Sequence, residues 1–134
     1  MISTSFSKAL ARISLATLIL AIFIGGTQPI AINLFVSPWD KVAHGFTYGS
    51  ILILAYLAFP KIKLIYLCLI VLSLGALDEI HQLYLVGRSP GLDDLLADFI
   101  GILIAYICIK LFNRYFKYSF KSHHMHQYIK AHQD

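Results

Sequence analysis

The sequence predicts an all-α, polytopic membrane protein with about four transmembrane helices. Hydrophobic residues make up 58% of the 134-residue chain, charged residues make up only 13%, and the mean hydropathy is +0.72. A soluble domain carries roughly 25% charged residues, so about half of the expected solvating charge is missing. Several apolar runs also approach the roughly 20 residues that a helix needs to cross a bilayer. By its length the chain forms one domain.

Glycine and proline residues interrupt the apolar pattern and leave four candidate spans between them. These spans are Ile13–Gly26, Ala43–Phe59, Leu64–Leu85 and Leu95–Phe112. An alternative for the first span is a cleaved signal peptide, with Lys8 and Arg12 as its basic flank. We favour a retained helix because no small-x-small cleavage site follows the apolar run.

The basic residues indicate how the spans are oriented. Nine of the eleven Lys and Arg residues fall on one side of a four-span arrangement, namely Lys8, Arg12, Lys61, Lys63, Lys110, Arg114, Lys117, Lys121 and Lys130. The positive-inside rule then places both termini in the cytoplasm. Six of the seven acids lie at or near the opposite face. The net charge of +4 is therefore a topology signal and does not indicate nucleic-acid binding.

A first polar cluster lies where the second span begins. Lys41, His44 and Tyr48 recur at i, i+3 and i+7, and Asp40 lies four residues before His44. On a helix these side chains share one face. Asp40 alone is equally well explained by favourable electrostatics at a helix N-terminus. Capping does not explain His44 and Tyr48, because both lie deeper in the span.

A second polar cluster lies where the third span ends. Asp78, His81 and Gln82 share one face, and Glu79 also pairs with Gln82 at i+3 spacing. Two adjacent acids at a helix C-terminus oppose the macrodipole, and such a local cost tends to mark functional or structurally paired groups. The alternative is a polar network that holds the helices together.

Further charged residues occupy the next turn and the start of the fourth span. Arg88 suits bidentate contact with a carboxylate or with a lipid phosphate, and both alternatives stay open. Asp94, Asp98 and Gly101 follow at i, i+4 and i+7 and form a single stripe. Asp98 lies about one turn inside the helix, where a carboxylate that faces lipid is disfavoured. Gly101 would let another helix approach closely.

Several of these residues form short motifs in a fixed order. The motifs are Asp40-Lys41-x-x-His44-x-x-x-Tyr48, Glu79-x-x-Gln82, Gly87-Arg88-Ser89, Asp93-Asp94, and then Asp98 with Gly101. In order and spacing they resemble the VanZ-like family of small bacterial membrane proteins, named for a member associated with teicoplanin resistance. The resemblance covers roughly residues 38–106, the motif core of a four-span domain over 1–112. Residues 113–134 form a basic, aromatic and His-containing cytoplasmic tail.

The resemblance implies a protein of the bacterial inner membrane that modulates sensitivity to teicoplanin-type glycopeptides. Our leading hypothesis is that it engages a lipid or cell-wall precursor head group at the outer leaflet, with Lys41 and Arg88 on phosphate. The family usually has Asn where this chain has Asp98, so a simple transfer of roles to Asp98 does not follow. The predicted ligand-binding residues are Asp40, Lys41, His44, Tyr48, Glu79, Gln82, Arg88, Asp94 and Asp98.

Two other functions stay open. A membrane-embedded hydrolase or transferase acting on a lipid-linked substrate would use Glu79 or Asp98 as general base with His44 as its acid partner, or would hold a divalent metal there. No GxSxG, HExxH or P-loop pattern supports an enzyme. The third function is a structural or accessory role.

We predict no cofactor, no resident metal and no nucleic-acid partner; the expected partners are membrane lipids.

Overall fold

The computed structural model describes residues 4–27, 38–85 and 90–131 of the chain. Within these residues it contains four α-helices and no strands. The helices are α1 (Thr4–Gly25), α2 (Trp39–Ala58), α3 (Leu64–Gln82) and α4 (Leu92–Ala131). Three stretches are long and apolar enough to cross a membrane, namely Ser5–Gly25, Leu64–Gln82 and Leu92–Lys117. The predicted all-α membrane fold is confirmed.

Helix α2 is not among these three stretches, and its sequence explains why. Its 20 residues correspond to about 30 Å at 1.5 Å per residue, which is enough to cross the hydrocarbon core. Its first turns, however, carry Asp40, Lys41 and His44. Because α2 packs against α1, α3 and α4, it is the central helix of the bundle. Its polar residues can therefore lie between helices, where lipid does not have to solvate them.

Five helix ends differ from the predicted spans by three residues or more, among them the starts of α2 at Trp39 and of α4 at Leu92. Helix α1 begins at Thr4, because the segment before the predicted span is rich in residues with high helix propensity. Helix α3 ends at Gln82, and the next three residues form turns. Helix α4 continues beyond the predicted Phe112 to Ala131. No glycine or proline follows Gly101, so the sequence contains no signal that would end α4 earlier.

The helices alternate in direction, so one end of the bundle collects most of the polar residues. Here the C-termini of α1 and α3 meet the N-termini of α2 and α4. The ring of Phe23 in α1 lies 5.4 Å from the ring of His81 in α3, between centroids. The ammonium group of Lys41 in α2 lies 2.8 Å from a carboxylate oxygen of Asp94 in α4. We call this the polar end.

The opposite end is basic. The Arg12 guanidinium donates a hydrogen bond of 3.3 Å to the carbonyl oxygen of Ala58 and lies 5.5 Å from the centroid of the Phe59 ring. A cation at the C-terminus of α2 complements the helix dipole. Tyr56 and Asn113 join α2 to α4 nearby, with 2.8 Å between the amide nitrogen and the phenol oxygen. The described basic side chains towards this end are Lys8, Arg12, Lys61, Lys63, Lys110, Arg114 and Lys117.

Helices α2 and α4 form the most extensive helix pair and run parallel. Two polar contacts between them have nearly the same sequence offset: Lys41 and Asp94 are 53 residues apart, and His44 and Asp98 are 54 apart. A constant offset is the mark of two helices that run in the same direction. The parallel arrangement thus aligns the polar first turns of α2 with those of α4.

Three glycines allow this close approach. A Cβ atom added to Gly49 would lie 2.9 Å from the carbonyl oxygen of Gly101, and one added to Gly101 would overlap the carbonyl oxygen of Gly45. Gly45 and Gly49 are four residues apart, which is the GxxxG spacing found where membrane helices pack tightly. We call this contact the glycine interface. The glycine interface agrees with the prediction that Gly101 lets another helix approach closely.

Apolar side chains fill the bundle beyond the glycine interface and also cover its outside. The outer surface includes Phe46, Tyr84 and Leu92, of which 78%, 80% and 88% is exposed. Such exposure is unfavourable in water and favourable against lipid. The buried cluster consists of Tyr48, Ile51, Leu52, Ala55, Leu67, Val71, Ile102, Ala105 and Ile109.

Candidate functional site

The outer layer of the polar end surrounds a single ammonium group. The Nζ atom of Lys41 lies 3.1 Å from an oxygen of Asp40, 2.7 Å from one of Asp93 and 2.8 Å from one of Asp94. A lysine has three donor hydrogens, and three carboxylates accept here. Lys41 therefore ties the start of α2 to the start of α4. This arrangement argues against the hypothesis that Lys41 contacts a ligand phosphate, because the three carboxylates would repel that anion.

An imidazole and a carboxylate pair one turn deeper. His44 Nδ1 lies 3.0 Å from Asp98 Oδ1, and the Asp98 side chain is fully buried. The second carboxylate oxygen of Asp98 points towards α3, where a Cβ atom added to Gly75 would lie only 2.7 Å from it. Asp98 thus occupies space that exists because residue 75 has no side chain. The contact also fixes the orientation of the His44 ring.

Helix α3 contributes buried polar side chains from its last turns. Gln82 Nε2 donates a hydrogen bond of 3.3 Å to Asp78 Oδ2, so Gln82 pairs with Asp78 in place of the predicted Glu79. Glu79 Oε2 instead accepts a 2.8 Å hydrogen bond from the backbone N–H of Gly91, just before α4. Glu79 therefore links the end of α3 to the start of α4.

Some buried polar atoms of this region have no hydrogen-bond partner among the described residues. They are the Tyr48 hydroxyl, Glu79 Oε1 and Asp98 Oδ2. Leaving a buried polar atom unpaired costs free energy, so such atoms point to a role or to a bound group. His44, Glu79 and Asp98 also each offer one potential ligand atom, and these atoms lie within 4.8 Å of one another. We call these three residues the inner triad; the sequence predicted the same three as catalytic candidates.

A cavity of about 330 Å³ opens beside these residues, between α1, α2 and α3. Helix α1 supplies only small and apolar wall residues, among them Ala21, Ile22 and Gly25. Because α1 has no polar residue there, sequence reasoning could not place it at the site. We call this the polar cavity. Its polar wall residues are Asp40, His44, Thr47, Tyr48, Asp78, His81 and Gln82.

An apolar groove of about 520 Å³ lies along the same three helices and extends away from the polar end. Helices α1 and α3 make few contacts with each other, which leaves this side of the bundle open. We call this the apolar groove. Its walls include Leu15 and Ile19 of α1, Ile51 and Ala55 of α2, and Leu74 and Leu77 of α3.

The structure brings eight of the nine predicted ligand-binding residues to the polar end. The ninth, Arg88, lies outside the described residues. Sequence reasoning omitted Asp78, Thr47 and His81 from the predicted site, although all three line the polar cavity. Asp78 and His81 could have been identified from the sequence, since both share a helical face with Gln82. Thr47 could not have been identified in this way, because a threonine in an apolar helix is common.

Comparison with known proteins agrees with the resemblance in the motifs. The model of the family described as VanZ/LLP1 matches residues 2–113. No curated protein and no solved structure matches the chain significantly. The family match includes α1, α2, α3 and the apolar part of α4, and it contains the whole predicted motif core. The chain therefore belongs to the VanZ/LLP1 family.

Proposed function

We propose that this membrane protein binds a lipid or a lipid-linked cell-wall precursor, with the head group in the polar cavity and a hydrocarbon chain in the apolar groove. The observation that carries the proposal is the succession of polar and apolar space along the same three helices. A lipid has this same succession of polar and apolar parts. The groove opens between α1 and α3 on the outside of the bundle, so an acyl or prenyl chain would enter it laterally from the bilayer.

The residues of the cavity favour a head group rich in hydrogen-bond donors. Asp40, Asp78 and Gln82 offer acceptor oxygens, whereas the ammonium group of Lys41 is already bound by three carboxylates. Hydroxyl, amide N–H and ammonium groups suit such a surface, and a phosphate does not. The ligand portion recognised here is therefore a sugar, a peptide or an amine of the head group, while its phosphate lies outside the acidic wall.

The charge distribution supports a location of the cavity at the outer leaflet of the bacterial inner membrane. By the positive-inside rule the basic end, with Arg12, Lys61 and Lys63, lies in the cytoplasm, and so do both termini. Cysteines at Pro90 and at Lys61, introduced after Cys68 and Cys108 are replaced by Ser, test this. An impermeant maleimide added to whole cells should label Pro90→Cys only. Labelling of Lys61→Cys alone would reverse the orientation.

Binding of a precursor head group at this leaflet would change how much of the precursor a glycopeptide can reach, and hence teicoplanin sensitivity. The experiment is mass spectrometry of the lipids that co-purify with the protein. Ala21→Phe fills the cavity from α1, and Ala16→Phe places the same ring on an exposed position of α1 that lines neither space. We expect wild type and Ala16→Phe to retain a specific lipid and Ala21→Phe to lose it. Equal retention by all three would contradict the proposal.

A second function, hydrolysis or group transfer on a lipid-linked substrate, is favoured by one contact. His44 is held by the buried Asp98 at 3.0 Å and also lines the polar cavity. A carboxylate that orients an imidazole beside a substrate space is the arrangement of a general acid or base. Purified protein should then turn over a lipid phosphate or ester, and His44→Gln should abolish the turnover. Absence of turnover leaves binding as the function.

A further inference from the structure

We propose that the inner triad of His44, Glu79 and Asp98 binds one divalent transition-metal ion, of the Zn²⁺ or Mn²⁺ class. The proposal departs from the expectation of no resident metal. Each residue offers one ligand atom, and the three atoms lie within 4.8 Å of one another. The residues come from α2, α3 and α4, so an ion bound between them would join three helices.

The two carboxylates of the triad are buried and incompletely paired. Glu79 is 8% exposed and Asp98 is 0% exposed. Glu79 uses Oε2 to accept from the Gly91 backbone, and Asp98 uses Oδ1 to contact His44. Glu79 Oε1 and Asp98 Oδ2 have no hydrogen-bond partner within the described part of the chain. A metal ion would provide what these oxygens lack, and the Gly91 contact would hold Glu79 in position.

The charge around the triad also favours a bound cation. Asp78 is buried beside Glu79 and Asp98, so three carboxylates share the interior of the polar end. Lys41 does not balance them, because its ammonium group is engaged by Asp40, Asp93 and Asp94. Removing several negative charges from water without compensation is costly, and buried charges are normally paired or coordinate metals.

The donor set selects the class of ion. One imidazole nitrogen and two carboxylate oxygens suit Zn²⁺ or Mn²⁺, whereas Mg²⁺ and Ca²⁺ prefer oxygen donors alone. Ligand atoms in a tetrahedral zinc site lie about 3.3–3.6 Å apart, given bonds of about 2.0–2.2 Å. The largest separation of 4.8 Å would therefore have to close by about 1.2–1.5 Å through side-chain rotation when the ion binds. The fourth coordination position would remain available to water or to a head-group oxygen.

Metal binding by the triad does not depend on the proposed function, since it can be measured without any lipid. The tail histidines must first be removed as competitors by alanine substitution at His123, His124, His126 and His132. In this full-length background, metal content is measured after chelation and reloading with Zn²⁺ or Mn²⁺. We expect one ion per chain in the background protein and in Asp93→Asn, which removes an exposed carboxylate outside the triad.

Glu79→Gln and Asp98→Asn should each weaken binding by more than the roughly 10–100-fold that loss of an outer-shell partner costs. Bound metal should also raise the Tm of the background protein and of Asp93→Asn, and should leave the Tm of the two triad variants unchanged. If the background protein binds no ion, or if Glu79→Gln binds as tightly as the background protein, the proposal is wrong.

Cobalt provides a test of direct coordination. Co²⁺ bound to His44→Cys should show a thiolate-to-cobalt charge-transfer band, because a coordinating thiol is deprotonated. The protein with His44 intact is the matched control, since its two free cysteines, Cys68 and Cys108, belong to other parts of α3 and α4. A band of equal intensity in both proteins, or no band in His44→Cys, would show that residue 44 is not a ligand.

Discussion

The two sides of this bundle differ in how closely their helices pack. On one side, α2 and α4 meet through Gly45, Gly49 and Gly101 with their backbones in contact. On the other side, α1 and α3 scarcely touch, and the polar cavity and the apolar groove lie between them and α2. Close packing brings polar side chains of α2 and α4 into contact, as in the pairs Lys41–Asp94 and His44–Asp98. The open side leaves room for a molecule that is not part of the chain.

The difference assigns separate tasks to the two sides. Dispersion contacts and interhelical polar pairs hold membrane helices together, because lipid provides little hydrophobic driving force between helices. The glycine interface and the Lys41 cluster provide both kinds of contact between α2 and α4. Substitutions there should affect stability first. Substitutions in the cavity wall of α1, such as Ala21→Phe, should affect ligand binding first.

The largest loss of stability is expected from Gly101→Ala. A Cβ atom at residue 101 would overlap the Gly45 carbonyl oxygen, so α2 and α4 would have to separate. Overpacking of this kind costs about 1–3 kcal/mol or more, which exceeds the gain of about 1 kcal/mol from replacing glycine in a helix. Gly25→Ala is the control, because its Cβ atom would meet nothing within 4 Å. Thermal unfolding in detergent should show a lower Tm for Gly101→Ala only; equal Tm values would contradict the close contact.

A second large effect is expected from Lys41→Met. The substitution leaves the carboxylates of Asp40, Asp93 and Asp94 close together without a cation, and like charges repel. The Tm should fall, and adding Asp94→Asn to Lys41→Met should recover part of the loss. Asp94→Asn alone should lower the Tm, since Lys41 then loses its least exposed partner. If the double variant is no more stable than Lys41→Met, the cluster does not hold α2 to α4.

A smaller and more specific effect is expected from Gly75→Ala. Its Cβ atom would lie 2.7 Å from Asp98 Oδ2 and 3.5 Å from the Tyr48 ring, so the Asp98 side chain must move. We expect destabilisation of about 1–2 kcal/mol in otherwise native protein, the range for modest overpacking. In an Asp98→Ala background the same change should stabilise, because alanine has the higher helix propensity. A double-mutant cycle measures this reversal, and additive effects would contradict it.

The smallest effect is expected from Asp93→Asn. The Asp93 side chain is 61% exposed, and Lys41 keeps Asp40 and Asp94 as partners. Exposed ion pairs contribute little to stability because solvent and salt screen them. Tm should therefore change much less than in Asp94→Asn, whose side chain is 14% exposed. A larger change of Tm in Asp93→Asn than in Asp94→Asn would contradict the view that Asp94 is the stronger partner of Lys41.

Helical periodicity was sufficient to predict most of this fold and which residues share a face. The stripe of Asp94, Asp98 and Gly101 was predicted from spacing alone, and in the structure all three face α2. The small-xxx-small pattern of Gly45 and Gly49 was present in the sequence and would have identified the second half of the same interface.

Pairings between helices could not be predicted in the same way. Periodicity gives a direction around one helix and carries no information about which helix lies opposite. The sequence therefore could not show that Lys41 has three carboxylate partners, or that Asp98 contacts His44 rather than Glu79. The cavity was also beyond prediction, since one wall is formed by the small and apolar residues of α1.

Water access at one depth of the bundle tests the contrast between its two sides most directly. Thr47 lines the polar cavity, and Ile102, 4% exposed, lies at a similar depth within the buried cluster. Cysteine is placed at each position after Cys68 and Cys108 are replaced by Ser, and reaction with a small water-soluble thiosulfonate is timed. We predict fast modification of Thr47→Cys and negligible modification of Ile102→Cys. Equal rates at the two positions would contradict the account of one closed and one open side.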